Sequence, residues 1–260
     1  MGKSKDLATG ETRFVNTAGD TMTGNLSINN ASGSQVTLHR TDTTIANDDL
    51  YGQIILSGDD ADTNASGTRG YIRGRSQGSG GGLKMEFGTA GGGVAMGSDP
   101  RMTINADGIV TMPNQPKFKV RRNSSSVTLT GNNAKQNLVF NVKDFDIGNG
   151  YNTTTGKYTV PATGVYFFFL NPRFDGITGS TYARGLIYKG ASIPGSPWSD
   201  YGNVLSSIDG DGHSTNYHTM NVSGIFSCVA GDTINFLGGG NVDSSITFQA
   251  ESQAGGFMIG

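Results

Sequence analysis

The side chains that could carry acid–base, nucleophilic or metal chemistry are few in this sequence. Its 260 residues include three histidines and one cysteine. His213 and His218 are five positions apart, so on one strand they would face opposite sides and could share neither a proton nor a metal ion. Cys228 lies in an apolar stretch, where a thiol is expected to be buried and unreactive. The sequence therefore predicts a protein that is not an enzyme, with no catalytic residue, no metal site and no cofactor.

Two segments imitate ligand-binding loops without meeting the requirements of those loops. Residues 150–158 have glycines and a lysine in the manner of a P-loop, but five residues separate the glycines, and no helix is predicted to follow and present its N-terminus to a phosphate. Residues 60–71 begin like a calcium loop, but Ala65 stands in place of the turn glycine and Tyr71 in place of the bidentate glutamate. The acidic turn with Asp209 and Asp211 leaves a calcium ion open as an alternative.

Composition excludes several classes of function and favours β-structure. The net charge is −2 and charged residues make up 15% of the chain, so no attraction to nucleic acid or to an anionic membrane is expected. No apolar run reaches the roughly 18 residues of a membrane helix, and the first residues lack the apolar segment of a secretory signal. A single cysteine fits assembly in a reducing cytoplasm. The 41 glycines, with abundant Ser, Thr, Asn, Val and Ile, favour strands and turns over helices.

The aromatic residues divide the chain into two unlike halves. Residues 1–115 hold four of them, and residues 116–260 hold the other 19. A core within one chain needs large apolar side chains, since each one that is fully buried contributes about 1.5–3 kcal/mol. The first half lacks them and has 20 glycines. We therefore expect it either to be disordered or to bury its surface against other chains.

Short strands in the first half favour burial against other chains. Leu83, Met85 and Phe87 alternate with Lys84 and Glu86, so one face of this strand is apolar. Such a face would be buried if several chains wrapped round a shared axis; the alternative is a flexible glycine-rich linker. The predicted strands, which Gly and Asp turns separate, are residues 53–56, 71–73, 83–87 and 102–104.

The second half is predicted to be a β-sandwich or jelly roll, because many short strands follow one another between turn signals. In residues 165–170 both faces of a strand are apolar, although alternate side chains point to opposite sides. A neighbouring subunit would cover the second face, unless the strand is central and covered on both sides within one chain. The predicted strands are residues 117–121, 126–130, 137–142, 157–160, 164–171, 182–189, 214–227, 232–237 and 245–249, with a last one that ends at Gly260.

Two strings in the first half resemble elements of tailed-phage fibre proteins. Residues 16–26 are similar to the G-D-T-M-T-G-x-L element found in many of those fibres. Residues 100–110 resemble, more loosely, the E-R-M-R-I-x3-G-x-V-x-I-G element that often closes a fibre shaft. Here Asp99-Pro100 replaces the usual acidic lead-in, and Met112-Pro113 replaces the closing Ile-Gly. The resemblance implies a trimeric bacteriophage fibre, whereas composition alone predicts only a β-rich stalk built from several chains.

Residues 140–170 resemble the signature of the C1q/TNF-like domain, F-x5-[ND]-x4-[FYWL]-x6-F-x5-G-x-Y-x-F-x-[FY], and every spacing agrees. Tyr158 stands for Phe and Leu170 for Phe or Tyr, and both keep the bulk that a core needs. Residues 255–260 resemble the family's final strand. The resemblance covers residues 116–260 and implies a ten-stranded jelly roll that packs as a tight homotrimer with aromatic side chains near the threefold axis. The trimer-core candidates are Tyr166, Phe167, Phe168, Phe169 and Phe257.

Recognition of a ligand is expected on loops, because the apolar signature residues are needed for the core. Trp198 and Tyr201 lie in a turn segment with two prolines, which suits stacking on sugars or contacts with proteins. The alternative is that Trp198 closes the end of the sandwich. The second receptor-binding candidate is the polar, glycine-rich segment that contains Asp209, Asp211 and His213.

The sequence thus predicts an all-β chain in three parts: a virion-attachment segment at residues 1–28, a trimeric β-rich shaft at 29–115 and a jelly-roll head at 116–260. The predicted function is that of a homotrimeric tail fibre whose head binds a host cell-surface glycan or protein. Other tail or capsid proteins would hold its N-terminus, and it would be located in the virion after assembly in the host cytoplasm. One alternative is a capsid- or tail-decorating fibre whose head mainly serves as a trimerisation module. A secreted C1q-like adhesin is the other, and the lack of a signal sequence argues against it.

Overall fold

Every regular element that the computed structural model describes is a β-strand. The description covers residues 25–59, 66–91, 99–123, 126–129, 134–177, 183–193, 204–210, 217–240 and 246–260, and for 204–210 and 217 it covers the backbone only. These stretches contain no helix that is long and apolar enough to cross a membrane. The predicted attachment segment and the first fibre-like string lie almost wholly outside them.

The first half of the chain forms one antiparallel sheet, here called the N-terminal sheet, whose five strands are paired in sequence order. The first three strands are longer than the sequence predicted, whereas the fourth has the predicted bounds, 102–104. The tight turn at residues 78–81, with Gly78 and Gly81 at φ +76° and +84°, lets the second and third strands pair over eight positions. Their backbone hydrogen bonds are therefore made within a single chain. The strands are β1 (Leu50–Gly58), β2 (Gly67–Gln77), β3 (Gly82–Thr89), β4 (Met102–Ile104) and β5 (Val110–Thr111).

One face of the N-terminal sheet is apolar, as the alternation in β3 predicted. Ile54 lies opposite Ile72, and Met85 lies opposite Gly74. The Leu38 side chain lies against this face at Gly52, where an added Cβ atom would come within 2.7 Å of it. Most of the large side chains here are still 41–61% exposed, so one chain alone leaves the face largely uncovered.

The other face of the N-terminal sheet carries a charged network around one carboxylate. Glu86 is buried and lies 2.6 Å from the Arg73 guanidinium, 3.7 Å from that of Arg75 and 3.3 Å from the Lys84 ammonium. The Arg73 guanidinium also lies 4.1 Å from the centroid of the Tyr71 ring. Each carboxylate oxygen thus has a cation next to it, which offsets the cost of burying the charge.

The head is built from three further antiparallel sheets. The long sheet has the order β17-β12-β20-β6-β9, the short sheet β16-β13-β19-β7, and the opposite sheet β10-β11-β18-β14-β15, with β8 paired to β18. The strands are β6 (Lys117–Arg121), β7 (Val127–Leu129), β8 (Gln136–Asn137), β9 (Val142–Ile147), β10 (Tyr151–Asn152), β11 (Lys157–Thr159), β12 (Gly164–Asn171), β13 (Arg173–Asp175), β14 (Ala183–Lys189), β15 (Val204–Gly210), β16 (Tyr217–Thr219), β17 (Val222–Cys228), β18 (Thr233–Gly240), β19 (Ile246–Phe248) and β20 (Gln253–Met258).

An aromatic core lies between these sheets and accounts for the concentration of aromatic residues in the second half. Phe118 of the long sheet stacks on Tyr158 with ring centroids 4.0 Å apart, and it meets Phe236 of the opposite sheet at 6.1 Å. Phe174 and Phe248 extend the same core beneath the short sheet. Fully buried side chains of this size each stabilise the fold by about 1.5–3 kcal/mol.

The short sheet repeats the strand order of the long sheet beyond a shared break. Every strand of the short sheet is next in sequence to one strand of the long sheet, in the pairs β12 and β13, β16 and β17, β19 and β20, and β6 and β7. Four neighbouring strands are therefore interrupted at the same level. Ser252 holds the break together: its hydroxyl donates to the Gln249 carbonyl at 2.8 Å and accepts from the Arg173 N–H at 2.9 Å. Its own carbonyl accepts from the Arg122 N–H at 2.9 Å.

Candidate functional site

The residues of the C1q/TNF-like signature occupy positions that explain their types. Phe140 and Tyr151 are buried, and the Tyr151 hydroxyl accepts a hydrogen bond from the Phe140 N–H at 3.0 Å. The Asp146 carboxylate accepts from the N–H groups of Gly150 and Tyr151, both at 3.1 Å, and so closes the turn between β9 and β10. At Gly164 a Cβ atom would come within 2.8 Å of the Gly260 carbonyl oxygen, which only a glycine avoids.

β12 shows how the doubly apolar run is arranged. Tyr166, Phe168 and Leu170 are fully buried in the core of their own chain. Phe167 and Phe169 point to the outer side of the long sheet and are only partly buried. The outer face is therefore apolar, but no described residue forms a layer over it. Among the residues that the structure describes, the same chain therefore covers only one side of this strand.

The outer face of the long sheet has an apolar centre, here called the outer patch. Phe167 and Phe257 lie opposite each other with ring centroids 5.4 Å apart. Phe169 lies over Gly255, where a Cβ atom would meet its ring at 2.7 Å. Ile225 is 64% exposed and Phe257 47% exposed, so the patch presents large side chains to the surroundings of the chain.

The five trimer-core candidates therefore separate into two groups. Tyr166 and Phe168 face inward, and their expected place in an intersubunit core is corrected, because the pleat of β12 directs even-numbered residues into the sandwich. The Tyr166 hydroxyl donates to the Ala162 carbonyl at 2.7 Å, which satisfies it within the chain. Phe167, Phe169 and Phe257 belong to the outer patch and stay available for contact with another chain.

Most of the receptor-binding candidates lie outside the described residues, namely Trp198, Tyr201, Asp211 and His213. For Asp209 the backbone is described, and it pairs with Arg184 in the opposite sheet. The flanking strands still locate where the two candidate segments attach. One begins after β14 and returns at Val204, and the other leaves after Gly210. These attachment points are at opposite ends of β15, about 20 Å apart at about 3.3 Å per residue, so they are not neighbours.

A polar groove of about 320 Å³ opens where the long and short sheets part. Asn171 and Gln253 are paired across β12 and β20, so they lie on the same side of the sheet as Phe167 and Phe257. The buried side chain of Met220 contributes an apolar part of the lining. The complete lining, here called the break groove, is Asn171, Arg173, Thr219, Met220, Asn221, Glu251 and Gln253.

Glu251 holds an unusual backbone conformation at the edge of the break groove. Its φ of +73° lies in the left-handed region, which costs a non-glycine residue about 1–2 kcal/mol. Its carboxylate accepts a hydrogen bond from Arg173 Nη1 at 2.5 Å, and Arg173 Nε lies 3.5 Å from Asp175 Oδ1. The hydrogen bond to Glu251 raises the pKa of Arg173. The groove thus contains a guanidinium with its charge balanced, surrounded by amides and a hydroxyl.

The potential catalytic groups are dispersed. Cys228 is buried as predicted, and burial raises the pKa of its thiol, so little thiolate forms at neutral pH. His39 is exposed and His218 lies in β16, while His213 is outside the described residues. Within the described stretches no three His, Cys, Asp or Glu side chains form a group that could hold a metal ion.

Sequence reasoning missed the break groove because its residues come from three separate segments of the chain, 171–173, 219–221 and 251–253. Asn171 and Gln253 are 82 positions apart in the sequence and meet only through the pairing of β12 with β20. The conformation of Glu251 also has no local signal, since glutamate is not a residue typical of left-handed turns. The Arg173, Glu251 and Asn221 side chains would each be interpreted as ordinary surface residues.

Comparison with known proteins agrees with the head signature. Residues 118–185 match the family model of the C1q domain, which is not an enzyme family. The globular domain of zebrafish complement 1qA is similar in structure, with 21% identity over 56% of this chain and 98% of that one, and a TM-score of 0.40. Murine APRIL at pH 5.0 is similar with 12% identity over 56% of this chain and 99% of that one, and a TM-score of 0.41. No curated protein matches the sequence. The head thus has a C1q/TNF-like jelly-roll fold, within an all-β set of described residues.

Proposed function

We propose that the chain is the subunit of a homotrimeric phage tail fibre whose head binds a receptor on the host cell surface. The observation that carries the proposal is the outer patch. It is apolar, it belongs to a head with a C1q/TNF-like fold, and it follows an N-terminal half with fibre-like strings. Attachment of the N-terminus to other tail or capsid proteins, and location in the virion, are part of the same proposal.

A second copy of the chain is the occupant that best fits the outer patch. Isolated exposed apolar side chains are common, but a contiguous group usually marks a contact with another molecule. Phe167, Phe257 and Ile225 form such a group on three neighbouring strands. Lys119 and Arg121 border it and pair with Asp144 of the same chain at 3.3 and 2.7 Å, so the charges of these two side chains are compensated within the chain.

The N-terminal sheet supports the trimer through its own apolar face. Because β1–β5 pair within one chain, the shaft would be three sheets brought together by their apolar faces rather than strands shared between chains. Ile54, Ile72 and Leu83 would then lie inside, and the network around Glu86 would face solvent. Such a shaft would need no exchange of strands between chains during assembly.

A decorating fibre of the capsid or tail is the second candidate function. It is favoured by the outer patch, because an apolar face of this kind suits contact between copies of the chain and by itself requires no receptor. In that case the head would serve as a trimerisation module and would bind no cell.

Sedimentation of the full chain followed by a cell-binding assay tests both candidates. The proposal predicts a trimer at micromolar concentration that attaches to cells of a susceptible bacterial strain and protects them from the phage by competition. A stable monomer would contradict the fibre, and a trimer that neither attaches to nor protects any strain of a broad panel would favour the decorating role.

A further inference from the structure

We propose that the break groove is a binding site for a neutral, hydroxyl-rich saccharide. The proposal rests on the fibre function, since it names the class of receptor and the place where the head holds it. It assigns recognition to the break between two sheets rather than to the loops around Trp198 and Asp211.

The lining has the hydrogen-bonding chemistry that a sugar ring requires. Asn171, Asn221 and Gln253 each offer an amide that can both donate and accept, and sugar hydroxyls also do both. Thr219 adds a hydroxyl, and Met220 gives an apolar surface against which the C–H side of a ring can pack. The volume of about 320 Å³ is at the lower end of the range for small-molecule sites.

The charge of the groove favours a neutral ligand. Arg173 is the cation of the lining, and Glu251 and Asp175 lie within 2.5 and 3.5 Å of it. An anionic sugar would have to displace one of these carboxylates to reach the guanidinium. A neutral sugar can instead donate to the Glu251 carboxylate, whose side chain is 74% exposed, while the ion pair stays intact.

The construction of the groove indicates that it is rigid before any ligand binds. Ser252 ties β13 to the segment before β20, and the Met220 N–H donates to the Pro172 carbonyl at 3.1 Å. The strained φ of Glu251 is kept although glycine or asparagine would adopt it at lower cost. Such conformations are concentrated at sites that hold ligands.

The position of the groove suits a receptor that approaches from the cell. The chain enters the head at Pro116, whose carbonyl accepts a hydrogen bond from the Met258 N–H at 2.9 Å. Met258 lies beside Gly164, the first residue of β12. Asn171 is at the other end of that strand, about 23 Å away at about 3.3 Å per residue. Each proposed trimer would carry three such grooves on the side away from the shaft, and three weak sites acting together give strong attachment.

The test uses the full chain and three variants. Glu251→Gly removes the carboxylate while its backbone relaxes, and Asn221→Ala removes an exposed amide. Asn149→Gly is the matched control, because Asn149 also has a positive φ, of 51°, but lies outside the groove. The probes are immobilised neutral oligosaccharides of hexoses and N-acetylhexosamines, with sialylated and uronic acid oligosaccharides as the acidic arm. Free monosaccharide is the competitor. Melting temperature and sedimentation are measured for every variant.

We expect the wild type to bind at least one neutral oligosaccharide and the free sugar to displace it. Glu251→Gly and Asn221→Ala should each weaken binding at least tenfold while the trimer persists and the melting temperature does not fall, and Asn149→Gly should bind as the wild type does. A purely structural role of Glu251 predicts the opposite, a lowered melting temperature with unchanged binding. The proposal would be overturned if the wild type bound no saccharide, or bound only acidic ones. It would also be overturned if the groove variants kept full affinity, or if their trimer dissociated.

A parallel cell-attachment assay separates this inference from the fibre function. Attachment that persists in both groove variants overturns the groove and leaves the fibre in place. Saccharide binding that depends on Glu251 and Asn221, in a protein that attaches to no strain, supports the groove and argues against the fibre.

Discussion

Truncation of Phe257 tests the trimer contact most directly. A phenylalanine side chain buries about 200 Å², and Phe257 is 47% exposed in one chain, so a trimer could bury about 95 Å² more of it. At about 25 cal/mol per Å² that area contributes about 2 kcal/mol per subunit, or about 7 kcal/mol for the three copies. Since about 1.4 kcal/mol corresponds to a factor of ten, Phe257→Ser should lower the association constant by about five orders of magnitude.

The concentration at which the trimer is half dissociated depends on the square root of that constant. It should therefore rise about 300-fold at about 1.4 kcal/mol per tenfold change, which sedimentation equilibrium over a wide concentration range can measure. Val127→Ser is the control, because Val127 is 40% exposed but lies in the short sheet, and it should leave the midpoint within a factor of a few. If Phe257→Ser dissociates at the same concentration as the wild type, the outer patch is not the contact between subunits.

The remaining predictions concern the fold itself. Gly256→Ala should destabilise the head by about 1–3 kcal/mol in chemical denaturation, because the added Cβ would come within 2.4 Å of a fully buried phenylalanine ring. Gly80→Ala is the control: an added Cβ there has nothing within 4 Å, so it should change stability by less than about 0.5 kcal/mol. Equal effects of the two substitutions would contradict this explanation by packing. Tyr151→Phe should cost about 1–3 kcal/mol by leaving a buried N–H unsatisfied, whereas Tyr158→Phe should be neutral or stabilising, because that hydroxyl is buried with no partner among the described residues. Hydrogen bonds from the backbone and side chain two residues on, together with a neighbouring arginine, lower the pKa of Asp42 to about 2 from 3.8, so the stabilisation of its turn should be complete above about pH 4 and be lost as the pH falls towards 2. An NMR titration of the Asp42 carboxyl with a midpoint near 3.8 would refute that assignment.

The pattern of alternating side chains predicted most of the strands, because a strand between two sheets shows its burial directly in its sequence. β12 is the best example, since the boundaries Gly164–Asn171 agree with those predicted from the sequence. Even there the pattern could not say which apolar face turns inward, and the trimer-core candidates were therefore a mixture of core and surface residues. That choice depends on β20, whose two adjacent glycines leave room for Phe168 on one face and Phe169 on the other.

The strand predictions were wrong where a side chain or a carbonyl outside the sheet accepts the hydrogen bond that a neighbouring strand would otherwise accept. Residues 137–142 were predicted as one strand, but strands cover only 136–137 and 142–147. Leu138 and Phe140 are fully buried like strand residues, yet the Phe140 N–H is satisfied by the Tyr151 hydroxyl. The predicted strand 214–227 is likewise interrupted at residues 220–221, where the Met220 N–H turns to the Pro172 carbonyl. Alternation of apolar residues reports burial and does not report the hydrogen-bond partner.

The location of the candidate site could not be predicted, because it depends on strand order rather than on any segment. The break groove exists because β12, β17 and β20 are interrupted at the same level, and the sequence contains no period that signals a shared interruption. The loops with Trp198 and His213 carry the more obvious recognition chemistry, which is why they were the candidates.

The junction between shaft and head has a mechanical consequence. β6 begins at Lys117, directly after the chain enters the head, and pairs over five positions with β20, which begins at Gln253 on the lining of the break groove. A pull between a ligand in that groove and the shaft would thus be directed along both strands. Because antiparallel hydrogen bonds are perpendicular to the strands, such a load would shear the whole row at once instead of opening it one bond at a time. The head would therefore resist tension between the break groove and the point at which the chain enters the head.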